Sequence, residues 1–178
     1  MEKEIIRWIK KHFFDRRVPL GAGYDDAALV RIPGKKILVS SDMLVEGTHF
    51  VSGERPENIG RKAAGISLSD MAAMGAEPLY LVLSLGVPKR YPIASVKKLF
   101  RGVALALKDF DTLLVGGDTV LSQNIVVDTM VIGTNLKGKV LRRAGARPCD
   151  VILATGFFGS SLVTGWHCRF KPRIREMV

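Results

Sequence analysis

Residues 27–42 read AALVRIPGKKILVSSD, and this stretch decides the class of fold. Two apolar runs, 27–32 and 37–41, flank Pro33-Gly34-Lys35-Lys36. Proline presets φ and glycine relaxes it, so the tetrapeptide reads as a turn. Strands joined by so short a link pair antiparallel, because a parallel pair needs a crossover of a dozen residues or more. Strand-like and helix-like segments mix through the rest of the chain. The expectation is therefore an α/β (α+β) fold with a mixed sheet, rather than a purely parallel one.

Outward from the hairpin, MEKEIIRWIKKHFFDRR (1–17) places Ile5, Ile6, Ile9 and Phe13 at helical spacing. It is too charged for a secretory signal and is expected to form an amphipathic helix. A second helix is expected from Pro56, with proline in its first turn, to Gly75. PLYLVLSLGVP (78–88) reads as a strand of the fully buried kind. Val96, Leu99, Phe100, Val103 and Leu107 form the apolar stripe of a further helix. TLLVGGDT (112–119) reads as a short strand breaking into a glycine turn, NIVVDTMVIGT (124–134) as a strand, and DVILATGFFG (150–159) as a last one.

A chain of 178 residues suits one domain with a real core. No apolar run approaches the ~18 residues of a membrane span, and a cytoplasmic, membrane-free protein is expected. Cys149 and Cys168 match no zinc spacing and argue for no disulfide. The formal charge of +10 points to anionic partners. Its bearers are scattered, among them Arg7, Lys10, Arg142, Arg143, Arg147 and the group Arg169, Lys171, Arg173 and Arg175. No basic stripe with interleaved aromatics appears, so nucleic acid is not the expected partner.

Five carboxylates carry the chemistry. Asp25 and Asp26 follow the glycine turn GAGY, Asp42 ends the second hairpin strand, and Asp118 follows Gly116 and Gly117. Each of these, read singly, could be an ordinary turn residue. Asp70 is more telling, because it interrupts the nearly all-apolar helical segment ISLSDMAAMG (66–75). An unpaired carboxylate buried there costs several kcal/mol or gives up its charge; a cation beside it, or a pairing with Arg61, avoids that. Several acids at loop ends repel one another unless a divalent cation binds between them. Oxygen-only donors, with Ser40 and Ser41 beside Asp42, suit magnesium rather than zinc. Magnesium on carboxylates shares substrate phosphates, which points to phosphoryl transfer. No P-loop is present, and GAGYDD departs from G-x-G-x-x-G at Asp26. Met71 and Met74 read as core, and Glu46 as a solvated or supporting residue.

The segments GAGYDDAAL, VSSDMLVEGTHF, IGRKAAGISLSDMAAMGAEP, LLVGGDT and LRRAGARPCDVILATG span Gly21 to Gly156. In this order they resemble the thiamine-monophosphate kinase family of the AIR-synthase-related (PurM-like) superfamily. The resemblance implies a PurM N-terminal-like mixed sheet packed against helices, with two sheets pairing into a barrel in a homodimer. It implies ATP-dependent phosphorylation of thiamine monophosphate to thiamine diphosphate by magnesium-assisted in-line transfer. On matching positions it implies metal ligands at Asp26, Ser40, Ser41, Asp42, Asp70 and Asp118, with Asp42 and Asp70 central to catalysis. Gly117, Asp118 and Arg143 would contact ATP. His49 would contact the substrate, with Phe50 beside it.

The sequence departs from the family pattern in two places. Ser160 stands where an aspartate is usual, and the family's second domain, with its further magnesium-binding acids, has no counterpart in these residues. The expected organisation is an ATP- and magnesium-binding domain over 1–155 and the start of a second domain over 156–178. Magnesium-nucleotide binding with weak or absent turnover follows, whether the cause is deletion, frameshift or natural truncation. Two alternatives stand beside this one. The first is another ATP-using member of the superfamily, of the AIR-synthase, selenide-water dikinase or hydrogenase-maturation type. The second is a non-catalytic dimerisation or binding module.

Overall fold

The computed structural model describes residues 24–135 except 26, 33 and 34, residues 140–154, and positions 16 and 19. The helix expected over 1–17, Ser160 and the whole of 156–178 lie outside the described residues, as does Asp26. The hairpin forms as read: β1 (Ala28–Ile32) pairs antiparallel with β2 (Lys35–Val45), from Ile32 opposite Lys35 to Ala28 opposite Val39. The chain continues through α1 (Pro56–Ala73), β3 (Glu77–Val87), α2 (Ile93–Lys108), β4 (Leu113–Leu121) and β5 (Val126–Thr134).

The five strands form one sheet in the order β1-β2-β5-β3-β4. β5 inserts antiparallel between β2 and β3, while β4 pairs with β3 in parallel. A parallel neighbour needs a crossover, and α2 supplies it. The mixed sheet expected from the hairpin is therefore present.

Side chains alternate across a strand, so each strand offers one row to the helices. The core joins Leu44, Leu83, Leu85 and Val127 of the sheet to Ile59, Ala63 and Leu68 of α1 and to Leu99, Val103 and Leu107 of α2. Met71 and Met74 close a second cluster with Leu38 and Val131. The two helices touch backbone to backbone. A Cβ on Gly60 would fall 1.9 Å from the Leu99 carbonyl oxygen, and one on Gly102 would fall 2.0 Å from that of Glu57. Only paired glycines allow that approach.

Four expectations are corrected here. Asp42 does not end its strand, since β2 runs on to Val45. β3 is buried on one face only: Leu81, Leu83 and Leu85 are covered, whereas Tyr80 is 43% exposed on the face without helices. Gly116-Gly117 does not break β4, because pairing to β3 continues through both glycines to Leu121. Finally, Asp150–Ala154 is exposed and forms no strand, having no ladder partner among the described residues.

Candidate active site

The site begins with strand register. On the helix-facing side of β2, Ser40 and Asp42 sit two residues apart, as the period of two requires. Asp42 lies opposite Thr129 of β5. Above them α1 lowers Ser67 and Asp70, one turn apart, onto the sheet. The Ser40 hydroxyl donates to Asp70 Oδ2. Ser67 Oγ lies 2.8 Å from Thr129 Oγ1 and donates to the Thr129 carbonyl at 3.2 Å and, more loosely, to Asp42 Oδ2 at 3.5 Å. Thr129 Oγ1 also donates to the Ala63 carbonyl at 3.0 Å, which fastens β5 to α1. Ser67 and Thr129 are fully buried, so this hydroxyl pair fixes the floor under the carboxylates.

Asp42 and Asp70 face each other across this floor. Burial raises the Asp42 carboxyl above its ordinary value. Hydrogen bonds with Asp70 and Ser67 work against that rise, and the nearby charge of Asp128 adds to it. A carboxyl with a raised value favours folding below its unfolded value, near 3.8, and loses that contribution as pH rises through the raised value. We therefore expect Asp42→Asn to unfold like the parent in strong acid and at higher temperature than the parent at neutral pH, without divalent cations. Thermal unfolding of both proteins across this range checks the sign.

The other predicted ligands are dispersed. Ser41 points to the opposite face and donates to Asp128 Oδ1 at 3.2 Å. Asp118 lies at the same level of the sheet as Asp128, through the register Asp128–Ser84–Asp118. Three strand spacings separate β2 from β4, about 14 Å. Asp42 and Asp118 thus belong to two loci. Among the described residues, no three Asp, Glu, His or Cys side chains gather closely enough to hold one metal ion. The donor set still fits magnesium, which takes one or two carboxylates and completes its shell with waters and substrate phosphates. Asp42 and Asp70 would supply the carboxylates and Ser40 a hydroxyl.

The second locus is the edge strand β4. Gly116, Gly117, Asp118 and Thr119 line an open cleft of about 410 Å³ with Leu83, Leu114 and Phe100. Gly117 has φ +153°, and a Cβ there would meet the Leu83 carbonyl oxygen at 1.7 Å. Asp118 Oδ1 accepts the Thr119 N–H at 2.7 Å, so this carboxylate is already oriented by its own strand. Arg143 is exposed. Its N–H donates to Asp25 Oδ2 at 3.2 Å, and its Nε lies 3.9 Å from Asp25 Oδ1. Asp25, one of the five carboxylates marked out in the sequence, anchors the segment carrying Arg143.

His49 closes a turn at the end of β2. Its N–H donates to the Val45 carbonyl at 2.9 Å, and its Nδ1 accepts the Val45 N–H at 3.0 Å. Phe50, expected beside the substrate, is instead 1% exposed and packed into the core. Glu46, expected to be solvated or supporting, is half-buried and accepts the Ile125 N–H at 3.0 Å. Arg61 does not pair with Asp70; it bridges to Asp109 at 3.6 Å. Asp128, Ser67, Thr129 and Lys62 join the site only in the fold. Only Asp128, a carboxylate inside an apolar strand, carried a signal.

The arrangement offers two carboxylates beside a hydroxyl where β2 meets α1, a glycine-bearing edge at β4 and a histidine turn at the end of β2. The family description "AIR synthase related protein, N-terminal domain" matches residues 24–135. A thiamine-monophosphate kinase of Synechococcus elongatus is 39% identical over 139 residues, covering 77% of this chain and 42% of that protein. One of Bacillus subtilis is 37% identical over 146 residues, covering 81% and 45%. The chain thus spans less than half the length of these two curated relatives. Its fold is similar to that of the thiamine monophosphate kinase of Aquifex aeolicus (TM-score 0.70, 28% identity, 83% of this chain and 46% of that one). It is also similar to AaThiL complexed with AMPPCP and TMP (TM-score 0.76, 25% identity, 99% and 61%).

Proposed function

The chain belongs to the AIR synthase related family through its N-terminal domain, and from that premise we propose that it forms the ATP- and magnesium-binding part of a thiamine-monophosphate kinase. The observation that carries this reading is the meeting of Ser40, Asp42 and Asp70 where β2 faces α1. Two acids crowded together beside a hydroxyl call for a divalent cation. The names of the relatives and the nucleotide-analogue complex among the similar folds support the substrates.

In the proposed reaction, a phosphate oxygen of thiamine monophosphate attacks the γ-phosphorus of ATP. The new P–O bond forms as the bond to the β–γ bridging oxygen breaks, giving thiamine diphosphate and ADP. Bound magnesium would neutralise the charge on the transferring group. Asp42, Asp70 and Ser40 would hold one ion, while Asp118 on β4 and Ser41 on the opposite face, with Asp26, would offer oxygens to further ions. The flat backbone at Gly117 would let nucleotide approach β4, with Asp118 and Arg143 beside its phosphates. His49 would receive the substrate. The exposed face of the sheet, around Met43 and Tyr80, would pair with a second copy as a barrel. Residues 1–155 would form this unit and 156–178 begin a second one. No helix among the described residues is long and apolar enough to cross a membrane.

The test is calorimetric titration with a non-hydrolysable ATP analogue, with magnesium and after chelation, beside an assay for thiamine diphosphate. Nucleotide binding that requires magnesium is expected. Equal binding with and without the metal, or none in either case, overturns the reading.

A further inference from the structure

Among the described residues, Val45 N–H would be unpaired without His49. Successive N–H groups of a strand point to opposite edges, and that of Glu46 goes to the β5 side, donating to the Ile125 carbonyl at 2.9 Å. Val45 N–H therefore faces the other edge, where pairing with β1 has already ended at Val39. His49 Nδ1 takes this donor at 3.0 Å. A nitrogen that accepts a backbone N–H carries no proton, so the neutral ring keeps its proton on Nε2.

The turn that aims this ring is held from outside itself. Lys62 of α1, half-buried, donates from Nζ to the His49 carbonyl. Gly47 N–H donates to the Phe50 carbonyl at 2.8 Å, and Phe50 is sunk in the core. Gly47 and Phe50, on either side of His49, are thereby fixed, and Lys62 supplies the one contact from α1 to the His49 carbonyl among the described bonds.

We propose that Lys62 is a positioning residue, acting through the 46–50 turn to present His49 Nε2–H as a hydrogen-bond donor to an acceptor atom on the substrate, remote from its phosphate. The remoteness follows from the scaffold. Lys62 and Asp70 are eight residues apart on α1, about 12 Å along its axis, and Val45 lies about 10 Å beyond Asp42 on β2. An elongated phosphomonoester bridges such a gap, and thiamine monophosphate carries pyrimidine ring nitrogens as acceptors at the end away from its phosphate. This proposal rests on the function proposed above.

The full chain, labelled with ¹⁵N-histidine, reads the lock directly. Long-range ¹⁵N–¹H correlations should show His49, assigned by the loss of its signals in His49→Gln, as a single Nε2–H tautomer, with a protected Val45 amide. Lys62→Met, which keeps the apolar stem, should give mixed tautomers, and Lys62→Arg should restore one. With magnesium present, Lys62→Met should weaken thiamine monophosphate binding about tenfold and leave hydroxyethylthiazole phosphate, which lacks the pyrimidine, unchanged. An Nδ1–H tautomer or an unprotected Val45 amide in the parent overturns the proposal. So does an unaltered His49 spectrum in Lys62→Met, or equal weakening of both ligands. If the parent binds neither ligand, the proposed function fails, and the tautomer spectra alone decide the role of Lys62.

Discussion

Asp70→Asn should lose magnesium-dependent nucleotide binding by on the order of 100-fold or more, yet unfold at a higher temperature than the parent when no divalent cation is present. Both halves follow from one contact. Asp70 accepts the Ser40 hydroxyl and shares a hydrogen bond with Asp42, whose carboxyl is pushed up by burial. An amide keeps an oxygen for Ser40 to donate to, so the geometry survives. It removes a half-buried charge, so the cost of desolvating the apo site falls. It also removes half of the carboxylate pair that would hold the cation. In a chain of this size each kcal/mol of relief raises the melting temperature by about 2–4 °C. Added magnesium should then raise the melting temperature of the parent and leave that of the variant unmoved. Unchanged nucleotide binding in Asp70→Asn would instead favour a binding module that makes no use of the acids. Gains in stability bought by dismantling a site are a recurrent sign of function.

The second large effect concerns the fold around β4. Gly117→Ala should cost about 4 kcal/mol or more of stability, because two penalties coincide. The backbone at Gly117 has φ +153°, where L side chains rarely go, and the added methyl would sit 1.7 Å from the Leu83 carbonyl oxygen. Relief requires β4 to move off β3, and the register Leu83–Gly117, Ser84–Asp118 is lost with it. Urea unfolding should show a lower midpoint than the parent. Gly116→Ala is the control, since its Cβ meets nothing within 4 Å; it should stay within about 1 kcal/mol, the ordinary cost or gain of exchanging these two residues.

How much of this was legible depends on the distance over which each signal acts. The hairpin was readable because Pro33-Gly34 and the flanking runs are contiguous, and so was Asp70, because a carboxylate in an apolar helix is anomalous wherever it folds. Ser67 and Thr129 were not readable. They are 62 residues apart, and only the placement of β5 between β2 and β3 brings them together. Gly116-Gly117 reads as a break because glycines favour turns; pairing with β3 overrides that preference and uses the missing side chain of Gly117 for close approach. The family resemblance puts Phe50 beside His49, where the substrate would be received. Yet neighbouring residues of a turn need not share a surface, and the larger apolar ring won the core.

The strand order β1-β2-β5-β3-β4 also has a kinetic side. The hairpin that carries Asp42 closes over a turn of two residues and can form from local contacts alone. β4, with Gly117 and Asp118, has no place to pair until β3 is laid down and α2 has folded back across it. Loops of that length close late, because their entropy is lost before their contacts form. The hairpin is thus specified early, whereas the meeting of Asp42 with β5 and of Ser40 with Asp70, like the docking of the glycine-bearing edge on β3, waits for segments distant in sequence.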